Sequence, residues 1–479
     1  MKISFIVPPS LDGFKAAERS AGCTRMVYPM PNIFELTIAA LFEKHNHHVE
    51  YHDFVIAKGT KKSFITFLQN HHTDIYCIWS VNLAIKTDCQ AIDIIHKLHP
   101  QTWILLMGPG PAYFTDKYLK NNRVIIARGE PETSAINLLN AIEQQQPFQS
   151  VKGISFLDEK GNIFNTTSEN LIEDLDQLPF PARHLINGLV YRNPKLKHSP
   201  YTSVITSRNC PYQCIFCVPG SLTFAREIES KTSTGKKPPI TIRSIQNIDN
   251  ELALLNSQGY KSIAFIDDNF IWDPNRLQGI VNSLNKYDLH WGCQARADAI
   301  TPEISDILAN SKCEYIDLGV ESFNNEILKF IKKGLTEEQI INAITLLTQL
   351  NIPVKLNILI GTSPLETKET IRHTIRTAKR LNVSQVMINI VSPFPGTKFY
   401  ELAKLKGWIK GGEYKPTDVQ RKSILEYPSL TSKQMERILF CSNFNFFMRP
   451  SLIFRHLKQF HNFGDFYSAL KSFIIKMFG

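Results

Sequence analysis

Along the first 140 residues, short apolar β-branched runs alternate with longer stretches whose apolar residues recur every three or four positions. The runs are ISFIV at 3–7, HVEYHDF at 48–54, DIYCIWS at 74–80, WILLMG at 103–108 and RVIIARG at 123–129. Between them, NIFELTIAALFEKH at 32–45 and TDCQAIDIIHKLH at 87–99 have the helical period. Five strands separated by helices predict a doubly wound parallel sheet over 1–140, with its ligand site at the carboxyl ends of the strands, in loops 8–25, 80–86, 108–114 and 128–132. Residues 141–200 are polar and turn-rich, with a small hairpin predicted over 153–165 and the prolines of LPFPARH at 178–184, and read as a linker. A second alternation follows over 201–409: TSVITS at 202–207, KSIAFID at 261–267, HWGCQA at 290–295, YIDLGV at 315–320, VKLNILIG at 354–361 and SQVMINIVS at 384–392. Six strand–helix units predict a closed or partly closed parallel barrel with its chemistry at the strand carboxyl ends. From 410 to 479 the alternation stops and the chain reads as helical, basic and rich in phenylalanine.

Composition narrows this α/β reading. At 479 residues, 43% hydrophobic and 20% charged, the chain is expected to hold more than one folded core. The start, MKISFIVPPS, reads as a first strand rather than a secretory signal, and no apolar run is long enough to span a bilayer, so a cytoplasmic protein is expected. A net charge of +10 permits anionic partners without demanding them. Nine cysteines are odd in number and too sparse for a disulfide framework. His45, His47, His48, His71 and His72 read as solvated surface, and Cys293 and Cys313 as buried apolar residues.

Three cysteines stand apart. Cys210, Cys214 and Cys217 lie in CPYQCIFC directly after the strand TSVITS, so their thiolates project from one loop at the barrel mouth. Clustered thiolates bind zinc or an iron–sulfur cluster. A structural zinc would want a fourth ligand, and no second paired spacing lies nearby, whereas three cysteines on a four-iron cubane leave one iron open.

CPYQCIFC, with Phe216 before its last cysteine, resembles the signature of the radical S-adenosylmethionine (SAM) enzymes. The resemblance implies a [4Fe-4S] cluster on Cys210, Cys214 and Cys217, with SAM at its open iron and a 5'-deoxyadenosyl radical as product. It also implies a reductant such as flavodoxin or ferredoxin. The amino-terminal segment, with PP after its first strand, GPGPAYF at 108–114 and RGEPE at 128–132, looks like the flavodoxin-like domain of the cobalamin-binding subgroup, which precedes a partial (β/α)6 radical SAM barrel. That subgroup includes the anaerobic magnesium-protoporphyrin monomethyl ester cyclase, hopanoid-modifying enzymes and cobalamin-dependent radical methyltransferases.

The subgroup pattern implies SAM contacts at Phe216, at Asp267 and Asp268 of FIDDNF, at Arg296, at Glu321 of GVES and at Gly361 of GTSPLET. The alternative for the two aspartates is that they cap the next helix, and for Arg296 and Glu321 a salt bridge at the barrel rim. Cobalamin is expected at Ser80, Gly108, Gly110, Gly129 and Glu130; the first loop has no histidine to ligate cobalt, so a base-off cofactor is implied. The ligand edge of the sheet should then face the barrel mouth.

Residues 441–479 hold nine phenylalanines, five Lys/Arg and one acid, Asp465. This suits an amphipathic helix on the inner face of an anionic membrane, or a helical cap on the barrel. The expected function is methylation, rearrangement or cyclisation of an apolar lipid-like, tetrapyrrole-like or natural-product substrate, with no nucleic acid partner. The competing readings are a methylthiotransferase for tRNA or a ribosomal protein, with a second cluster on Cys23, Cys77 and Cys89, and a non-catalytic cobalamin carrier or sensor.

Overall fold

The computed structural model describes residues 1–12, 30–381 and 383–449. The first unit is a sheet of β1 (Lys2–Val7), β2 (His48–Asp53), β3 (Ile75–Trp79), β4 (Trp103–Met107), β5 (Val124–Ala127), β6 (Ile154–Leu157) and β7 (Ile163–Asn165). The order is β2-β1-β3-β4-β5-β6-β7, with the first five strands parallel as their alternation with helices requires. Its helices are α1 (Ile33–Lys44), α2 (Lys61–Asn70), α3 (Ile85–Leu98), α4 (Pro109–Tyr113), α5 (Thr115–Tyr118) and α6 (Pro131–Glu143). Two apolar layers, one containing Phe5, Ile38, Phe42 and Met107 and the other Ile6, Phe64, Ile92 and Leu106, cover the two faces of the sheet.

The hairpin predicted inside the linker forms, but it joins the sheet: Ile126 pairs with Ser155 antiparallel, and Ile154 and Phe156 are buried. The segment 141–200 therefore supplies two strands as well as a connection.

The second unit contains β8 (Tyr201–Val204), a two-stranded ribbon of β9 (Ser207–Arg208) and β10 (Thr241–Ile242), then β11 (Ser262–Phe265), β12 (His290–Arg296), β13 (Cys313–Glu321), β14 (Val354–Ile360) and β15 (Gln385–Ile390). Six parallel strands in the order β8-β11-β12-β13-β14-β15 form an open barrel. The helices α7 (Ser221–Thr234), α8 (Ile245–Ser257), α9 (Pro274–Lys286), α10 (Pro302–Ala309), α11 (Asn325–Phe330), α12 (Glu337–Gln349) and α13 (Lys368–Arg380) connect them; α14 (Lys398–Leu405) and α15 (Ser432–Phe447) follow. In β14 the alternate residues Val354, Leu356, Ile358 and Ile360 are buried in the main core, while Lys355, Asn357 and Leu359 face the lumen half-buried. Cys293 is fully buried, as its apolar strand implied.

The two units meet edge to mouth. Helix α4, at the carboxyl edge of the first sheet, packs along α7, which directly follows the cysteine loop. Trp79 Nε1 donates to Ser221 Oγ at 3.0 Å, and Asn82 Nδ2 to the Pro395 carbonyl at 3.5 Å. Two histidine readings need correction. His47 is buried against the amino terminus and Glu143, and His71 stacks on Phe67 and contacts Glu50 Oε2 at 2.6 Å, so neither is solvated surface.

Candidate active site

The cysteine loop leaves β8 through Thr206, Ser207, Arg208 and Asn209. Asp267, at the end of the neighbouring strand β11, fixes this exit. Its Oδ1 accepts from the Thr206 N–H at 3.0 Å and from the Thr206 and Ser207 hydroxyls at 2.6 Å each. Burial pushes the Asp267 carboxyl above the ordinary range, and these donors oppose the shift. Asn209 adopts φ 74°, a left-handed conformation that asparagine tolerates, and is held by Pro238 and by Arg226 Nη1. Further along, both backbone groups of Ile215 are bonded to the barrel, its N–H to the Ile331 carbonyl at 3.1 Å and its carbonyl to the Phe399 N–H at 2.9 Å. Phe216 packs on the barrel core. The loop is thus pinned before its first cysteine and between its second and third.

Cys210, Cys214 and Cys217 are all free. Burial, with the neighbouring sulfurs contributing, pushes the Cys210 and Cys217 thiols up, so a bound cation is needed to favour their thiolates. Among the described residues, the three-ligand groups whose donor atoms lie within 4.8 Å of one another are Glu50–His52–His71 and His198–His290–Glu314; the cysteine triplet is not among them. A single zinc would draw its thiolates closer, so the wider spacing suits a multi-iron cluster, and the donor set fits that group.

Cations surround these sulfurs. Arg296 Nη1 lies 3.9 Å from Cys214 Sγ, and its guanidinium sits 3.4 Å over the Tyr212 ring. Its other nitrogens bind Asp298 at 2.9 Å twice and the Lys333 carbonyl at 2.7 Å. Arg296 therefore braces the loop with its donors already engaged, rather than standing free for a SAM carboxylate. Glu321 pairs with Lys333 Nζ at 2.8 Å, both side chains being buried, and sits at φ 63°, a strained conformation for a glutamate. Sequence reasoning missed Lys333: it lies beyond α11, and only the fold brings it to Cys214 and Glu321.

Asp268 turns away from its neighbour Asp267 and accepts from the Gly220 N–H at 2.6 Å, just ahead of α7. Its Oδ2 is buried without a hydrogen-bond partner, as are both side-chain polar atoms of Asn269. Burial raises the Asp268 carboxyl to about 6. These orphaned polar atoms beside the cysteine loop suit a polar ligand there. Gly361 belongs elsewhere. It has φ +81°, its N–H donates to Glu366, and a Cβ would lie 2.7 Å from Met435 Sδ, so α15 requires the glycine rather than SAM.

The five residues expected to hold cobalamin are engaged with protein. Ser80 Oγ donates to Asp88 and contacts the Tyr118 hydroxyl at 2.6 Å. A Cβ on Gly108 would strike the Ser80 carbonyl at 2.6 Å, one on Gly110 the Tyr118 hydroxyl at 2.8 Å, and one on Gly129 the Glu229 side chain at 3.1 Å. Glu130 is ion-paired with Arg208 and Arg226, and Glu132 joins them through Arg208. This buried network ties α6 of the first unit to the residue two before Cys210. Among the described residues, one cleft between the units, of about 10 Å³, is lined by Val81, Asn82, Leu83, Pro109, Val218, Phe224 and Phe394, with Asn82 Oδ1 buried and unpartnered. A corrin fits there only if the two sides separate. The first loop, which completes this edge, lies mostly outside the described residues, as does Cys23.

Residues 204–378 match the model of the radical SAM superfamily. A mostly parallel sheet ahead of an open six-stranded barrel is a fold that the chain shares with two solved structures. An uncharacterized methyltransferase of Pyrococcus horikoshii is 24% identical over 97% of this chain and 96% of its own length. The cobalamin-dependent radical enzyme OxsB, with aqua-cobalamin and SAM bound, superposes with a TM-score of 0.70 at 16% identity, over 92% of this chain and 65% of its own. The radical methyltransferase TsrM from Kitasatospora setae, with cobalamin and a [4Fe-4S] cluster bound, gives 0.64 at 16% identity, over 85% and 76%.

Proposed function

We propose that the chain is a cobalamin-dependent radical SAM enzyme that methylates, rearranges or cyclises an unactivated carbon of a small-molecule or lipid substrate. The observation that carries this reading is the cysteine loop pinned at the barrel mouth with the carboxyl edge of the first sheet packed against the helix that leaves it. When bound, a reduced four-iron cluster supplies the electron that cleaves SAM to the 5'-deoxyadenosyl radical, and a corrin supplies a methyl carrier. Cys210, Cys214 and Cys217 would hold the cluster. Asp268 and Asn269 offer unpaired polar atoms for SAM, while Lys333 and Arg296 offset negative charge at Cys214. Substrate would enter the lumen beside Lys355, Asn357 and Leu359.

The methylthiotransferase alternative needs a second cluster, yet Cys77 is wholly buried in β3 and Cys89 lies on α3 with its thiol on the Lys117 carbonyl. Among the described residues no helix is long and apolar enough to cross a membrane. Phe440 and Phe444 on α15 and Met448 just after it are exposed, and Lys368, Arg372, Arg376 and Lys379 of α13 line the adjoining groove with Arg437, which supports a cytoplasmic protein resting on an anionic membrane.

The test is anaerobic reconstitution. One cluster, one base-off corrin and SAM cleavage are expected, with iron and cleavage lost when Cys210, Cys214 and Cys217 become alanine. Iron and cleavage that survive the triple substitution would overturn the reading, and two clusters without corrin would favour the methylthiotransferase.

A further inference from the structure

We propose a second metal site at the opposite end of the barrel: a zinc-type divalent cation held by His198, His290 and Glu314. The three residues come from separate segments that the parallel sheet brings together. His290 opens β12, Glu314 is the second residue of the adjacent β13, and His198 lies two residues before Pro200 at the entrance to β8. The β12–β13 ladder pairs Trp291 with Cys313 and then Gly292 with Tyr315, so Glu314 is the extra residue of a bulge. Bulges re-aim side chains, and this one turns a buried carboxylate toward the two histidines.

The three donor atoms are close enough together for one ion to draw them in. His198 Nδ1 lies 2.6 Å and His290 Nδ1 3.2 Å from the same oxygen, Glu314 Oε1. The two rings stack with centroids 3.4 Å apart and 15° between planes, so the same nitrogen of each is presented side by side. All three donor atoms fall within 4.8 Å of one another. A tetrahedral zinc with ligands at about 2.0–2.1 Å needs donor separations of about 3.3 Å, so the His198–Glu314 pair would open by about 0.7 Å and the stacked rings would tilt toward the ion. Two imidazoles and a carboxylate are a borderline set that suits zinc over magnesium or calcium. The Lys197 N–H donates to Glu314 Oε2 at 2.6 Å, which orients the carboxylate and leaves Oε1 for the ion. Half-exposed His198 leaves room for water in the fourth position.

The comparable group around Glu50 differs in one respect that matters. Lys2 Nζ sits 3.1 Å from Glu50 Oε1, so an ammonium already occupies that carboxylate and would repel a dication. At Glu314 the linker's contacts are the Lys197 N–H and His198, and the Lys197 ammonium acts on His290 without an ion pair to the carboxylate.

Strand β12 gives the site its meaning. It starts at His290 and ends at Arg296, whose guanidinium touches Cys214, so seven residues at about 3.3 Å each separate the two centres by roughly 20 Å. The ion would not share substrate or electrons with the cysteine loop. It would tie the entrance of edge strand β8 to the middle of an open barrel, a structural role.

The test uses the full-length protein with its cluster reconstituted, so that the three cysteines are occupied. After equilibration with zinc and desalting, one zinc per chain is expected by metal analysis, with a raised melting temperature. His290→Ala should lose that zinc and the thermal gain, and so should the near-isosteric Glu314→Gln, which guards against simple misfolding. His71→Ala should keep both. Absence of zinc from the parent, undiminished zinc in Glu314→Gln and His290→Ala, or loss in His71→Ala instead would each overturn the site.

Discussion

Replacing Arg208 by methionine should loosen the junction on which the cysteine loop depends. Arg208 is buried, with Nη1 2.7 Å from Glu130 and Nη2 2.5 Å from Glu132, and burial is outweighed by these two carboxylates, which hold its pKa above the ordinary arginine value. Arg226 Nε lies 3.3 Å from Glu130, so two cations and two anions balance inside the interface. Methionine fills much of the volume but leaves two carboxylates against one arginine. Removing one partner of a buried pair costs about 3–5 kcal/mol, because the survivor keeps its desolvation penalty. At about 2–4 °C per kcal/mol for a unit of 150–250 residues, the melting temperature should fall by roughly 6–20 °C. Arg208→Met combined with Glu132→Gln restores the balance, leaving Glu130 to Arg226, and should recover most of the loss. Differential scanning calorimetry with iron analysis reads both stability and the Cys210 loop. A single variant that melts within 2 °C of the parent, by about the lower bound above, or a double variant no better than the single, would refute the argument.

In the cluster-free protein, Asp268 with its pKa of about 6 takes its proton in the folded state at higher pH than in the unfolded chain. Stability should therefore rise as pH falls from about 7 toward about 4; Asp268→Asn should lack that increment, and equal pH slopes in urea unfolding would count against it. Gly361→Ala places a Cβ at φ +81° and 2.7 Å from Met435 Sδ. It should cost about 1–2 kcal/mol in left-handed strain before any shift of α15, and an unchanged melting curve would dismiss it. Lys333→Met strands buried Glu321 and should destabilise by about 3–5 kcal/mol, most of it returned by adding Glu321→Gln; a double-mutant cycle showing no coupling would contradict the pairing.

The strands were legible because each carries its own signal: β-branched alternation marked all five parallel strands of the first sheet and all six of the barrel to within a few residues. The thiol triplet was legible for the same reason, since three residues in one loop need no knowledge of the rest of the chain. Pairings across long separations left no such trace. The hairpin at 153–165 announced its turn, but nothing local says that Ser155 pairs with Ile126. Asp267 and Asp268 read as one acidic pair at a strand end, yet consecutive side chains diverge, so Asp267 holds the Thr206 loop and Asp268 holds the start of α7. Lys333 carried no signal because its partner, Glu321, and its neighbour Cys214 are brought to it only by the closing of the barrel.

The residues expected at the cobalamin edge make protein contacts that change what the first unit does. Glycines and a glutamate at strand carboxyl ends can serve a ligand or a contact with a second domain that covers that edge. Here the barrel covers it, and Glu130 and Glu132 meet Arg208 where a cofactor contact was expected. Arg208 pairs with Thr241 in the short ribbon and leads directly through Asn209 to Cys210. Any group that parts the two units to enter the cleft at Asn82 must therefore work against the same ion pairs that fix the first thiolate. Binding at the sheet edge and order in the cysteine loop are linked through Arg208, and a ligand that opens the cleft would be felt at Cys210 without touching it.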